Sequence, residues 1–298
     1  MPRSSRRHAA KIRRLYTGER FPEALAGIAR DGSHGLDACS PAQAELRYLM
    51  ALGFLNTEDS ERPLGWNIAA LSGYSMTVSP RYDRLVLISH TPGGVARRLV
   101  PDRQGAGGLP GLRIEESRAV SFYENSRMGT SIAETHMLRH LPTGGQIVVT
   151  NHYAGTVAGE QESYIASRRM APTSVPVQPE ESALLRQTPR VSADARALLS
   201  GVVCRISTSD PAGNWALGQW YYDPLSREKR RFYRDSRTLT GAGDHWKLRW
   251  HGYPYLADVV ATTTDPHIGL SGATAVGGEK ETTISSGTAS LKLVWERP

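Results

Sequence analysis

Cysteine is scarce: two residues, Cys39 and Cys204, in a chain of 298. They stand far apart and away from histidine, which excludes a disulfide framework and a cysteine-based zinc site and makes a reducing cytoplasm the expected compartment. No apolar run approaches the roughly 20 residues needed to cross a bilayer, so no membrane partner is expected. Behind Arg6-Arg7 comes HAAKIRRLY, without an uncharged hydrophobic stretch, and neither a secretory nor a twin-arginine signal is read there. Catalytic signatures are also missing. No G-x-S-x-G occurs and neither cysteine has a histidine neighbour, so nothing local marks a serine or cysteine nucleophile. The loop GAGGLPG at 105–111 lacks the Lys-Ser/Thr of a P-loop and the spacing of G-x-G-x-x-G, and reads as a mobile surface loop.

What is present describes a loop-rich, strand-leaning globular protein: 39% hydrophobic and 22% charged residues, with 29 glycines and 18 prolines. The length suits two compact units and an appendage. Residues 1–20 read as a basic arm, and 21–60 as a short helical subdomain whose last helix starts at the Ser40 cap with Pro41 behind it. Residues 66–168 read as an α+β or mainly β domain and 169–199, with Pro172, Pro176, Pro179 and Pro189, as a Pro-rich linker. Residues 200–298 hold 11 of the 22 aromatic residues, so a β-rich domain with its own core is expected, closed as a sandwich or barrel. HWKLRWH alternates Trp246, Leu248 and Trp250 with Lys247, Arg249 and His251, and TTISSGTASLKLVW reads as a hairpin around Ser286-Gly287. The fold class is therefore α+β.

The charge is unevenly placed. Residues 1–20 carry Arg3, Arg6, Arg7, Lys11, Arg13, Arg14 and Arg20 against Glu19, seven minus one, or +6 of the chain's +7. A basic tip on a near-neutral body points to a polyanion, DNA or RNA or a nucleoprotein assembly. The opening RRHAAKIRRLYTGERFPEALAGIAR is a basic helix, a Thr-Gly turn, then an aromatic and an Ala/Leu-rich helix. It resembles the basic N-terminal segment of some actinobacterial proteins, plasmid- or phage-associated ones among them. The resemblance covers about thirty residues and implies a mobile-element context. A second basic cluster, Arg227, Lys229, Arg230, Arg231 and Arg234, lies among Tyr221, Tyr222, Phe232 and Tyr233, where arginine supplies phosphate contacts and rings supply stacking for unpaired bases.

The remaining candidate is the histidine hairpin, THMLRHLPTGGQIVVTNHY. A three-residue loop, Thr143 to Gly145, sets Pro142 against Gln146 and His136 against His152. One face then carries His136, Leu138, His140, Val148, Thr150 and His152 toward solvent or a cleft. Met137, Leu141, Ile147 and Val149 take the core side. With Glu134, imidazoles on one face could activate water, with or without a divalent metal. His136 and His140 are about 13 Å apart along an extended strand, so at most one joins His152. The expectation is a non-enzymatic binder of nucleic acid or nucleoprotein with no cofactor. One alternative is a histidine- or metal-dependent hydrolase or nuclease built on His136, His140, His152 and Glu134, the only reading that calls for a metal. Another is a structural subunit of a phage or particle-like assembly, its basic arm serving assembly.

Overall fold

A computed structural model describes residues 3–57, 65–123, 130–151, 160–161, 170–227 and 236–296. The chain opens with three helices, α1 (Arg3–Thr17), α2 (Phe21–Gly27) and α3 (Pro41–Phe54). Each boundary follows from its residues. Gly18, with φ of +70°, ends α1, and Ser40 accepts the Gln43 N–H at the head of α3, with Pro41 fitting the first turn. The basic segment is thus a docked helix: Ala9 and Ala10 pack on Ala24 and Ile28.

Strands β1 (Met76–Pro80), β2 (Arg84–Ser89), β3 (Leu112–Tyr123), β4 (Thr130–His140), β5 (Gln146–Thr150) and β6 (Glu160–Gln161) form one mixed sheet in the order β1-β2-β5-β4-β3-β6. The continuous apolar centre of β2 is explained by its place between β1 and the parallel β5, with Leu85 to Ile88 all buried. Helix α4 (Pro92–Leu99) packs over β2, β5 and β4. The second sheet has the order β7-β8-β11-β10-β9: β7 (Arg237–Ala242), β8 (His245–His251), β9 (Thr274–Gly277), β10 (Glu281–Ser286) and β11 (Ala289–Glu296). Trp246, Leu248 and Trp250 are its buried row, and Ser286 pairs with Ala289 in the expected hairpin. The protein is α+β. The aromatic strands close as one open sheet covered by α6 (Ala193–Cys204) and α7 (Leu256–Thr264), where a sandwich or barrel was expected. The sequence NWALGQWYYDPLSREKRRFYR reads as two strands joined by the Asp223-Pro224 turn; its described part, ending at Arg227, instead folds as turns around a 3₁₀ turn at Gly218–Trp220.

Helices α3 and α6 pack on one another and reach both sheets. Gln43 of α3 accepts from the Gln146 N–H of β5 (3.0 Å), and Tyr48 of α3 meets Trp246 of β8 edge-on. One apolar core therefore runs from Leu46 to Leu293. The stretch read as a linker contributes to it. Helix α5 (Pro179–Arg186) buries Glu181 against Arg113, and Ala195, Leu198 and Leu199 of α6 sit in the core. The glycine loop is anchored likewise: Gly111, at φ +81°, donates its N–H to Glu181 Oε1, and Leu109 and Pro110 are buried.

Candidate functional site

The hairpin forms, in a different register. Arg139 pairs with Gln146, Leu138 with Ile147 and His136 with Val149. The turn is longer than three residues, closed by Gly144 N–H to His140 O (2.8 Å) and His140 N–H to Gly145 O (2.9 Å). Opposed residues share a face, so a shift by an odd number exchanges the faces of one strand relative to the other. His136, Leu138 and His140 consequently lie with Ile147 and Val149, all buried, and the histidine face is the core face. This corrects the expected solvent-side row of imidazoles. His152 lies outside the described residues. Among the described residues, no group of three or more His, Cys, Asp or Glu is placed to hold a metal ion.

The two described histidines have different surroundings. His140 is satisfied locally: Nε2 donates to Pro110 O (2.9 Å), and Nδ1 accepts from Thr143 Oγ1 (2.9 Å). Burial pushes its pKa down to about 4, with the positive Arg113 adding to the effect and the Pro110 carbonyl and Glu181 opposing it. A neutral imidazole tied to two loops is a structural strut. His136 is 0% exposed, and both its nitrogens face groups of chemical interest. Nδ1 is 2.8 Å from Ser117 Oγ on β3, and Nε2 is 2.8 Å from Glu134 Oε1 on its own strand. An ionised carboxylate only accepts, so Nε2 carries the proton and Nδ1 presents its lone pair to the serine hydroxyl. Ser117 was missed from sequence because its only signal is register. A β-bulge in β3 between Ile114 and Glu116 moves the pairing by one residue. Without it the Ile114–Leu138 register would set Ser117 against Thr135; with it Ser117 stands directly opposite His136.

The basic segment divides in two. Arg13, expected among the phosphate contacts, is 0% exposed and is corrected out of that set. Its guanidinium grips Glu19 at 2.6 and 2.7 Å and donates to the carbonyls of Gly27, His34 and Pro80. Gly27 is required beneath it, since a Cβ there would lie 2.3 Å from the guanidinium carbon. Arg3, Arg6, Arg7, Lys11 and Arg14 are exposed, and Arg6 also reaches the Leu25 carbonyl at 3.3 Å. At about 100° per residue, Arg3, Arg7, Lys11 and Arg14 fall within an arc of about 80°, spread over about 16 Å of helix. None of the four has a carboxylate partner among the described residues.

Comparison of the chain with protein-family models, with curated proteins and with solved structures found no match.

Of the basic residues in the second cluster, only Arg227 lies among the described residues. Arg227 is clasped by Asp258 (2.6 Å) and Asp223 (3.1 Å) and lies over the Tyr255 ring at 4.6 Å. Its own charge is answered on the protein. Tyr222 is exposed, while Lys229, Arg230, Arg231 and Tyr233 lie outside the described residues.

Proposed function

We propose that the protein binds nucleic acid through the outer face of α1. The observation that carries this reading is the row Arg3, Arg7, Lys11 and Arg14 on a helix fixed from behind by Ala9, Ala10, Arg13 and Thr17. Three features support it. The row lies on a packed element, so its backbone positions are fixed and no helix has to be ordered on binding. Its first members sit at the positive end of the helix macrodipole, with no acidic residue in the first turn. That placement disfavours the isolated helix and favours a bound anion. The rest of the chain is close to neutral, so the field is directional. No helix among the described residues is long and apolar enough to cross a membrane, and the polyanion proposed is DNA or RNA.

Four phosphate contacts set the scale. The observed association constant should fall with salt at a log-log slope of about −3.6 on duplex DNA and about −2.8 on a single strand. Fluorescence-anisotropy titration of labelled duplex and single-stranded DNA and RNA between about 50 and 200 mM salt measures this. A slope in that range supports the reading. Absence of binding at the lowest salt on all four probes overturns it.

A further inference from the structure

We infer that Ser117 is the nucleophile of an acyl-transfer site, with His136 as its general base and Glu134 as the positioning residue, acting on carboxylic esters. The inference stands apart from the nucleic-acid reading. Two observations carry it. Ser117 Oγ, His136 Nδ1, His136 Nε2 and Glu134 Oε1 form a chain with both gaps at 2.8 Å, within reach for proton transfer. The alignment is also produced by a bulge, a device found preferentially where a side chain is re-aimed next to a site.

The imidazole is fully enclosed, while Ser117 and Glu134, whose side chain is 20% exposed, are each half-buried, so the base is shielded between two partly exposed ends. The substrate class follows from the charges. Phosphoryl transfer needs cations aimed at the developing charge. Among the described residues, Arg118 and Arg139, the cations closest in sequence, project to the opposite face of the sheet by strand alternation and are held by Glu116 and Glu115. An uncharged acyl group is the better fit.

The step balances with water as the only co-reactant. Ser117 Oγ bonds to the carbonyl carbon as its proton passes to His136 Nδ1, and the carbonyl π pair moves onto oxygen. Collapse breaks the bond to the alkoxide, which takes the proton from Nδ1 and leaves as alcohol. Water then attacks the acyl-serine through the same base. The carboxylic acid is released, and Ser117 Oγ recovers a proton from Nδ1. Glu134 holds the Nε2–H throughout and fixes the tautomer.

The test is labelling of the full chain with an uncharged alkyl fluorophosphonate, with peptide mapping by mass spectrometry and p-nitrophenyl butyrate hydrolysis in parallel. The expected result is an adduct on Ser117, hydrolysis lost in Ser117→Ala, and labelling slowed by on the order of 10²-fold or more in Glu134→Gln and recovered in Glu134→Asp. Rescue by the shorter carboxylate separates positioning from mere support of the strand. Absence of an adduct on Ser117 in the unaltered protein, which needs no variant to fold, overturns the inference. Labelling of Glu134→Gln at the unaltered rate overturns it as well.

Discussion

Arg13 and Arg14 are adjacent, share a helix and have opposite roles. Arg13 turns inward, where its guanidinium meets a carboxylate and three carbonyls and joins α1 to α2, the His34 loop and β1. Arg14 turns outward and continues the row from Arg3. The same division recurs across the molecule. Arg113 is sealed against Glu181 and the carbonyls of Val175 and Pro176, and Arg205 bridges Asp37 to the carbonyls of Ile268 and Gly269. A guanidinium has five donors and a wide planar fork, so it can join several loops at once, and net charge alone does not mark a binding surface. What distinguishes the outer row is exposure without a carboxylate partner among the described residues.

The largest effect should come from breaking an inner tie. Arg13→Ala leaves Glu19 buried and uncompensated, and a loss of about 3–5 kcal/mol is expected by urea unfolding. Arg14→Ala should stay within about 0.5 kcal/mol of the parent. Equal losses in the two would erase the distinction.

His140 comes next. Its folded pKa of about 4 lies below the unfolded value of about 6.5, so the unfolded chain binds more protons between these limits. Its contribution is fully present above about pH 6.5 and is lost as pH falls toward 4, on the order of 3 kcal/mol in all. Urea midpoints from pH 7 to 4 should show this slope in the parent and a shallower one in His140→Gln.

Glu181 works in the same direction at lower pH. Burial raises its pKa, but the bonds from Arg113, Gln178 and Gly111 outweigh burial and hold it below the usual carboxylate value. The stability it adds is present above the unfolded carboxylate pKa and is lost as pH falls through the folded one. Stability measured across the acid limb should therefore fall less steeply in Glu181→Gln than in the parent. A smaller loss than that of Arg13→Ala is expected at the Ser40 cap, where Ser40→Ala should cost about 1 kcal/mol without altering nucleic-acid binding.

Local features are legible in the sequence. The Ser40-Pro41 start, the Gly18 stop, the alternation in β8 and the Ser286-Gly287 hairpin each rest on a few neighbouring residues. Non-local pairing is not. β8 lies parallel to β11, joining Trp246 to Leu291 and Trp250 to Trp295, and no local pattern specifies that. The site failed for the same reason. In the hairpin, the Thr143 hydroxyl binds the His140 ring and the Gly145 N–H, stabilising a wider turn than Gly144-Gly145 suggests, and a three-residue change in register exchanged the faces. Ser117 depended on a bulge with no residue signature. Charge counting found the basic helix but could not tell Arg13 from Arg14, because burial is decided by Glu19 and by carbonyls as distant as Pro80.

The most direct measurement is the salt dependence of duplex DNA binding by the parent chain and by a variant with Arg3, Arg7, Lys11 and Arg14 all changed to Gln. The slope should lose about 0.9 for each residue changed and approach zero, with the unfolding midpoint unchanged. A variant that retains the parent's slope would contradict the assignment of binding to the outer face of α1.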